Sequence, residues 1–439
     1  MWNRYILNNF TSINFFSLIA FLIPFFLITG PFLPDLSIII IGLFFLYRIF
    51  KFKEYDYLNN IYFKFFFLFW IYLVLSSFLS DNILYSLKSS LGYIRFIIFS
   101  LGILYLIERN KNFIKNFFIS LVIVFILLGM DSVIQFIFGQ NIFGFKSPAP
   151  NIITSFFDDE IVLGSFLVRL SPLFLALCFK INKINLSVII FMILLEPLIF
   201  YAGSRTPFFI SFLIIGLLLI LNKRNIKNLI IITVSTLLIL TQVFYNKGSH
   251  SYNQRMVSDI VENFERDKPS QLDINNKYSA IHFLFISPSH SALWINALTM
   301  YEKKKLFGHG PGTFRKICND TKIIIPKNFS LSKGYFCSTH PHNFSFQLLA
   351  ETGIIGFLFF IIFFLYFVFR ILNFIYLLIF KENVLVQNNY IISFLILSFI
   401  INFLPIVPNG NFFNNWLNII MYLPLGFYLY YLKNIKKND

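Results

Sequence analysis

The chain has 439 residues, of which 57% are hydrophobic and 62 are Phe, and its formal net charge is +16 at pH 7. A soluble core of this length does not need so much apolar surface, so the composition excludes an ordinary soluble domain. The positive charge would favour nucleic acid in a soluble protein, but the lysines here fall in short loops between apolar runs. We therefore expect a membrane protein that is surrounded by lipid and has no nucleic-acid partner.

Runs of about eighteen or more apolar residues recur from one end of the chain to the other, which predicts an all-α, polytopic bundle of transmembrane helices. The first run follows Arg4 without a small-residue cleavage site, so it is predicted to be a helix of the bundle and not a removable signal. Twelve spans are predicted, at about 12–30, 33–50, 61–80, 89–107, 117–138, 161–179, 185–202, 206–221, 228–245, 352–370, 388–405 and 412–432.

Lysine and arginine are concentrated in alternate loops between these spans. The basic segments are "YRIFKFK", "ERNKNFIK", "FKINK", "NKRNIK" and the tail "LKNIKK". Because positively charged loops stay on the cytoplasmic side, this alternation predicts that both termini are cytoplasmic.

The polar stretch 246–342 is much longer than an ordinary connection between helices. The predicted orientation places it outside the cytoplasm, since long domains are translocated regardless of their charge. Within it, "SALWINALTMYEKKKLF" has the apolar spacing of a helix, and "GHGPGTF" ends that helix as a turn. We therefore predict helices 1 to 9 in residues 1–245, a mainly helical loop domain in 246–342, and helices 10 to 12 in 343–439.

The three cysteines divide between the bundle and the loop domain. Cys178 lies in a predicted span, where it is expected to pack against neighbouring helices. Cys318 and Cys337 both lie in the external loop, and two thiols in an oxidising compartment predict a disulfide, with two free thiols as the alternative. No His and acidic partners stand at zinc spacing beside them, so we predict no metal site.

Charged side chains inside predicted spans are candidates for function, because burying a charge in a bilayer is costly. Counted from the external ends of their helices, Arg95 is about two turns deep and Arg169 about two to three turns deep. Arg205 lies in the tight external turn between two spans, and Asp131 and Glu196 lie at similar depth. The five groups are therefore predicted to share one layer near the outer face.

Two interpretations of this layer remain open. In the first, the charges form ion pairs that join helices. In the second, the arginines, which outnumber the acids, form an outward-facing pocket for an anion, because guanidinium binds phosphate oxygens in a bidentate manner. A lipid-linked phosphate or pyrophosphate is an anion that reaches such a pocket from within the outer leaflet.

His342 lies at the predicted membrane edge, beside Asn343 and at the N-terminal end of a helix, and His340 precedes it by two residues. A histidine titrates near neutral pH and can take a proton from an attacking hydroxyl, while arginines stabilise a leaving phosphate. A purely structural histidine is the alternative. His340 either orients His342 or faces water.

At these residues the sequence resembles the O-antigen ligase and polymerase superfamily, integral-membrane glycosyltransferases of the bacterial envelope. The family signature is His, then Asn, Ser or Gln, nine residues, Gly, two residues and a Gly-like position. The segment "HNFSFQLLAETGIIG" matches it with His342, Asn343, Gly353 and Gly356. Upstream, "LWINALTMYEKKKLFGHGPGTFR" resembles the Trp-containing helix and Gly-rich turn of the family, and "AGSRTPFFISF" resembles its Gly-Ser-Arg segment.

The resemblance implies transfer of a glycan from undecaprenyl pyrophosphate, with inversion, at the periplasmic side of the bacterial inner membrane. It implies no metal, no cofactor and no nucleotide sugar. The expected acceptor is a sugar hydroxyl of lipid A–core, as in the ligation step of lipopolysaccharide biosynthesis. On the matching positions, His342 would activate that hydroxyl, Asn343 and His340 would lie at the substrate, and Arg205 would bind the pyrophosphate.

The chain departs from the family at one position. The family often has an arginine four residues before the Trp of the loop helix, and here that position is His290. Histidine binds phosphate more weakly and only in a pH-dependent way. We therefore expect Arg169 or Arg95 to supply the second phosphate contact.

Two other functions remain as alternatives. A polymerase would join repeat units on the same lipid carrier, and it differs from a ligase in its acceptor, which no motif in this chain identifies. A polysaccharide-lipid transporter or flippase would also explain charges inside the bilayer. That function predicts symmetry-related repeats with broken helices, and no convincing repeat is visible in the sequence.

Overall fold

The computed structural model describes residues 2–148, 152–181, 184–223, 225–245, 288–319, 337–380 and 387–438. Over these ranges the regular secondary structure is helical, which agrees with the predicted all-α class. The helices of the first half are α1 Trp2–Phe26, α2 Phe32–Phe52, α3 Ile61–Phe78, α4 Ile83–Leu91, α5 Arg95–Arg109, α6 Phe113–Phe138 and α7 Leu163–Lys180. Those of the second half are α8 Ile184–Ile189, α9 Glu196–Tyr201, α10 Arg205–Leu221, α11 Ile226–Tyr245, α12 Pro288–Lys303, α13 Phe314–Ile317, α14 Phe344–Phe380, α15 Gln387–Asn402 and α16 Asn415–Asn438.

Each of the twelve predicted spans falls on helical chain. Within the described ranges, six helices are long and apolar enough to cross a membrane, which agrees with the predicted polytopic membrane protein. They are Phe32–Phe52, Ile61–Phe78, Ile83–Arg109, Phe113–Phe138, Leu163–Lys180 and Phe344–Phe380. The same described ranges contain five shorter apolar helical stretches: Thr11–Phe26, Ile190–Tyr201, Arg205–Leu221, Ile226–Thr241 and Asn388–Asn402. The count of twelve spans and the external position of the loop stay predictions.

Helix ends follow from local residue chemistry. Asn60 precedes α3, and its side-chain oxygen accepts a 2.8 Å hydrogen bond from the N–H of Tyr62, which otherwise has no partner in the first turn. Gly139 follows α6 at a φ of 73°, a left-handed conformation that ends helices and suits glycine. Between α8 and α9 the turns widen into the π-helix Ile190–Leu195, two residues before Pro197, whose ring crowds an ordinary α-helical turn.

Helix α7 lies at the centre of the bundle. It packs against α6, α9, α10 and α15, and nearly its whole length is buried. Arg169 sits on this helix with only 4% of its surface exposed. A buried guanidinium group therefore lies on the central helix of the bundle.

Helix α14 is broken near its start. Gly353 has φ 66° and ψ −169°, so a short helical segment that begins at Phe344 is separated from the long apolar segment that follows. The break admits the turn after α12, where the N–H of Ile354 donates to the carbonyl of Lys305 at 2.8 Å. The first segment packs on both sides, with Phe344 and Leu348 in the core of the bundle and Phe346 and Ala350 in the core of the loop domain.

The described part of the loop domain has a small core of its own. Trp294 of α12 is fully buried and packs against Phe346 of α14 with ring centroids 4.6 Å apart and the rings tilted by 33°, and Met300 and Phe314 belong to the same core. Helix α12 agrees with the helix predicted from the sequence, and the predicted Gly/Pro turn follows it. Parts of the predicted loop domain, residues 246–287 and 320–336, lie outside the described residues.

The structure joins Cys318 and Cys337 by a disulfide with a Cα–Cα distance of 5.2 Å. Cys318 is buried in the loop core, directly after α13, and Cys337 lies ahead of the His342 segment. The bond therefore ties the end of α13 to the chain that leads to the histidines. Cys178 is buried in α7, as expected for a packing residue.

Candidate functional site

A cavity of about 2010 Å³ opens between the bundle and the loop domain. Five of the residues singled out in the sequence line it, although they come from four separate parts of the chain. These residues are Arg169, Arg205, His290, His340 and His342. The tertiary structure thus brings the predicted arginines and histidines to one place, with the exception of Arg95.

His342 lies in the wall of this cavity in an unusual backbone conformation. Its φ is 54°, the left-handed region that non-glycine residues rarely adopt. Its carbonyl accepts a 2.7 Å hydrogen bond from the N–H of Asn409. Its ring centroid is 4.1 Å from that of His340 and 5.4 Å from that of His290. Strain of this kind persists only where surrounding contacts hold it, and it often marks a functional residue.

Asn343 does not line the cavity. It is fully buried, and its side-chain N–H groups donate to the carbonyls of Pro405 at 2.9 Å and Val407 at 3.0 Å. Its side-chain oxygen accepts from the N–H of Phe346 at 3.1 Å, as an N-cap of α14. Asn343 therefore anchors the start of the helix, and we do not retain it as a substrate contact.

The three histidines share an environment that keeps them neutral. Burial lowers the pKa of His342, and burial followed by repulsion from His342 and Arg205 lowers the pKa of His290 to about 4. Burial, with repulsion from His342, Arg315 and His290, lowers the pKa of His340 to about 3. Removing a charged imidazole from water is unfavourable, and each protonated ring would repel the others. Near neutral pH, His342 therefore carries an unprotonated ring nitrogen that can accept a proton.

Two arginines lie beside the histidines at the cavity wall. Arg205 is the first residue of α10 and follows Gly203, which has a left-handed φ of 70°, and Ser204, which is extended. Arg315 lies on α13, is exposed, and makes no hydrogen bond or ion pair with any other residue in the described ranges. Arg315 was not singled out in the sequence, although it directly follows the Gly-rich turn "GHGPGTF" and ends the segment that resembles the family.

Arg169 reaches the cavity from the buried helix α7 and is held by neutral oxygens. Its Nε donates to Ser165 at 3.0 Å, its Nη1 to the Asn402 side chain at 2.7 Å, and its Nη2 to the Asn409 side chain at 2.5 Å. In the part of the chain that the structure describes, no carboxylate forms an ion pair with it.

Arg95 lies away from this site. Its Nε is 3.2 Å from a carboxylate oxygen of Asp35, and its other nitrogens donate to the carbonyl of Gly92 and the side chain of Asn415. It is absent from the cavity lining. The sequence placed it at the right depth but on another side of the bundle, and we drop it from the candidate phosphate contacts.

The two buried acids of the predicted layer are not partners of the arginines. Asp131 accepts from the hydroxyl of Ser155 at 2.6 Å and from the N–H of Ile142 at 3.0 Å, which holds the loop after α6. Glu196 accepts from the hydroxyl of Ser211 at 2.8 Å. Neither acid forms an ion pair with another residue that the structure describes. The interpretation of the layer as ion pairs between helices therefore fails for Arg169, whereas Arg95 does form an ion pair, with a different acid, Asp35.

The Gly-rich turn after α12 packs against protein and not against the cavity. Gly308 and Gly310 have φ of 67° and 102°, and a Cβ at Gly308 would lie 2.4 Å from the backbone of Glu351. The buried carboxylate of Glu351 accepts from the N–H groups of Gly312 and Phe314, each at 2.9 Å. The turn thus docks α13, and with it Arg315, onto the first segment of α14.

The cavity has two further walls that the sequence did not indicate. One carries three exposed acids in the run "DDE" and several aromatic side chains, namely Asp158, Asp159, Glu160, Phe143, Phe145, Phe156, Phe157 and Trp416. The other follows α10 from Arg205 through Phe209 and Leu213, which are 54% and 42% exposed. Their spacing of four residues places the guanidinium and the two apolar side chains on one face of the helix.

Comparison with known protein families gives a match to one part of the chain. Residues 189–361 match the family model described as O-antigen ligase. The matched region runs from the π-helix through α12 and α13 into α14, so it contains Arg205, His290, Arg315 and His342 but neither Arg95 nor Arg169. No curated protein matches the chain. Among the described residues, no group of three or more His, Cys, Asp or Glu is placed to hold a metal ion.

Proposed function

We propose that this chain is an integral membrane enzyme of the O-antigen ligase family, whose model matches residues 189–361, and that it transfers a glycan from undecaprenyl pyrophosphate to a sugar hydroxyl of lipid A–core. The observation that carries the proposal is the convergence of His342, Arg205 and Arg315 on one cavity beside an apolar, outward-facing stripe of α10. The reaction would be that of a metal-independent glycosyltransferase at the periplasmic side of the inner membrane.

In the proposed reaction, the acceptor oxygen attacks the anomeric carbon of the donor as the bond from that carbon to the phosphate oxygen breaks. The phosphate oxygen leaves with the bonding electrons as undecaprenyl pyrophosphate, and the new bond forms on the opposite face, with inversion. The hydroxyl proton passes to the neutral imidazole of His342. Arg205 and Arg315 stabilise the charge that grows on the leaving pyrophosphate.

The shape of the cavity supports a lipid-linked donor. Arg205 would bind the pyrophosphate at the start of α10, where helix N–H groups also favour an anion. Phe209 and Leu213 continue from it along the exposed side of α10 and would contact the isoprenoid chain. A free sugar phosphate has no apolar chain that could contact these two side chains.

The disulfide supports the proposed compartment. Disulfides persist in the periplasm and are rare in the cytoplasm. Cys318 and Cys337 lie close in sequence to the cavity-lining residues Arg315 and Thr339, so an oxidised pair agrees with a cavity that faces the periplasm. The same orientation follows from the basic cytoplasmic loops and leaves both termini in the cytoplasm.

The test is transfer in proteoliposomes. Purified protein is incubated with undecaprenyl-pyrophosphate-linked glycan, and in separate reactions with lipid A–core or with additional carrier-linked repeat units as the acceptor. Glycan attached to lipid A–core is the expected product. Longer carrier-linked chains would instead identify a polymerase. If folded protein makes neither product but moves the labelled donor across the bilayer, the enzyme proposal is wrong and a flippase replaces it.

Replacing Arg205 tests the proposed pyrophosphate contact. In Arg205→Met we expect the donor KM to rise about 10- to 100-fold, because a charged hydrogen bond to phosphate contributes about 1.5–3 kcal/mol. Arg205→Lys should lie between Met and wild type, since an ammonium keeps the charge but loses the bidentate geometry. The measurement is initial rate against donor concentration in proteoliposomes.

Arg370→Met is the matched control for Arg205. Arg370 lies on α14, outside the cavity, where its guanidinium contacts the hydroxyl of Tyr366. Its replacement should leave the donor KM unchanged. An Arg205→Met protein with wild-type donor KM would remove this residue from the donor site.

The pH dependence tests the protonation state of His342. Burial lowers its pKa below the usual 6.5, so the neutral base persists in mildly acidic solution and is lost only as the pH falls through the lowered pKa. We therefore expect kcat/KM to stay level from slightly alkaline pH down to about 6.5 and to fall below it. An acid limb centred above neutral pH would contradict a buried, neutral base. Size-exclusion profiles at each pH would separate loss of activity from loss of structure.

A further inference from the structure

We propose that Arg169 is a positioning residue, which fixes the loop formed by residues 402–409 and through it the left-handed backbone of His342. The inference rests on the proposed function, because it assigns Arg169 a role in the transfer that His342 would carry out. It replaces the expectation from the sequence that Arg169 binds the donor phosphate. The 402–409 loop connects the end of α15 to the wall of the cavity.

Arg169 binds the 402–409 loop at both of its ends. Its Nη1 donates to Asn402, the last residue of α15, and its Nη2 donates to Asn409. Ser165, one turn earlier on α7, accepts from its Nε and sets the plane of the group. Because a guanidinium is planar and its N–H directions are fixed, these three bonds define where the two asparagines lie. The helix that carries Arg169 is the central one of the bundle, so the support is rigid.

The same loop holds the chain around His342. The N–H of Asn409 donates to the carbonyl of His342 at 2.7 Å. Pro405 accepts from the side chains of Asn343 at 2.9 Å and Ser345 at 2.8 Å, and Val407 accepts from Asn343 at 3.0 Å. Four hydrogen bonds therefore join the loop to residues 342–345. Asn409 is the shared element, since its side chain contacts Arg169 while its backbone contacts His342.

The backbone conformation of His342 explains why the contact between Arg169 and the 402–409 loop matters for catalysis. At φ 54° a histidine is strained, and it stays there only while its neighbours hold it. If Arg169 no longer fixed Asn409, the loop could shift and His342 could relax towards a negative φ. The imidazole would then leave its place in the cavity wall. Misplacing a reacting group by about 1 Å can cost roughly 100-fold in rate.

The two roles for Arg169 make different kinetic predictions. A phosphate ligand contributes to donor binding, so its loss would raise the donor KM, and removing the Asn409 side chain would not reproduce the effect. A positioning residue acts on His342, so its loss lowers kcat at little change in donor KM. Removing either Arg169 or the Asn409 side chain would then break the same connection, and the two changes would not add.

The experiment compares Arg169→Met, Asn409→Ala, the double variant and Asn409→Asp in the proteoliposome assay. We expect both single variants to lower kcat about 10- to 100-fold, with donor KM within about twofold of wild type. The double variant should match the more severe single variant. Asn409→Asp should recover most of the lost rate, because a carboxylate oxygen accepts from Nη2 where the amide oxygen did.

Arg95→Met is the matched control, because Arg95 is an arginine of similar depth that lies outside the cavity. Its kcat should equal that of wild type after the rate is normalised to folded protein. Thermal unfolding and size-exclusion profiles identify variants that fail to fold. If Arg169→Met is lost in this way, the comparison of Asn409→Ala with Asn409→Asp decides the question.

A second readout does not depend on transfer. Diethyl pyrocarbonate modifies exposed, neutral imidazoles, and tandem mass spectrometry can resolve the rate at His342 from that at His340. We expect that rate to change several-fold in Arg169→Met and Asn409→Ala and to return in Asn409→Asp. An unchanged rate at His342, or a raised donor KM at unchanged kcat, would overturn the inference. Absence of transfer by wild type would overturn the proposed function while this readout still decides the role of Arg169.

Discussion

His342→Asn is expected to lower kcat about 100- to 10,000-fold, the contribution of a positioned general base. Asparagine tolerates the left-handed backbone that His342 adopts, so this replacement removes the imidazole with little added strain. Its amide cannot take the proton of the acceptor hydroxyl. The donor KM should change little, because Arg205 and Arg315 remain at the cavity. The measurement is kcat for glycan transfer in proteoliposomes, with donor binding followed separately.

His309→Gln is the control for loss of a histidine. His309 lies on the Gly-rich turn, outside the cavity, where its Nε2 is 3.0 Å from the carbonyl of Met300. A glutamine side chain can make the same contact, and its transfer rate should stay near that of wild type. A His342→Asn protein with kcat within tenfold of wild type would rule out His342 as the base and leave it a role in orienting the acceptor.

Gly353→Ala is expected to destabilise the junction between the loop domain and the bundle by about 2–6 kcal/mol, from backbone strain and overpacking together. Gly353 has φ 66° and ψ −169°, a region that is essentially restricted to glycine. A Cβ there would lie 2.3 Å from the carbonyl oxygen of Leu306. The clash is with backbone atoms, so it cannot be relieved by a side-chain rotation. We expect a lower midpoint of thermal unfolding in detergent and loss of transfer.

Gly216→Ala is the matched control, because it makes the same substitution in the middle of α10, where a Cβ would have no atom within 4 Å. Alanine favours a helix over glycine by about 1 kcal/mol, so this variant should be as stable as wild type or more so. If Gly353→Ala unfolded at the wild-type temperature, the break in α14 would not need glycine and the turn after α12 would be held by other contacts.

The histidine signature could be found in the sequence because its members are fixed relative to one another by a short stretch of chain. The structure gives each member a physical role. His342 faces the cavity, Asn343 caps α14, and Gly353 breaks the helix so that the turn after α12 can dock. Asn343 was assigned to the substrate from the sequence, since spacing shows which residues belong together but not which of them point into a site.

The depth of the arginines could be predicted from the sequence, but their contacts could not. Depth along a helix follows from counting residues, and it placed Arg95 and Arg169 in one layer. Whether two residues at one depth meet depends on which helices are neighbours and on the rotation of each helix about its axis. Arg95 points to Asp35 and Asn415, and Arg169 points to Asn402 and Asn409.

By itself the sequence determined the helical class, the membrane setting, the helix of the loop domain and the histidine motif, because each depends on local chemistry or on apolar runs. Only the tertiary structure decided that Arg315 reaches the cavity, that Asp131 and Glu196 accept from serine hydroxyls and not from Arg169, and that Asn409 links Arg169 to His342. Residues 169, 342 and 409 are far apart in the chain, and their contact depends on how helices pack across the whole bundle. Apolar periodicity specifies that a helix is buried but not against which partner, so these connections are a property of the folded chain.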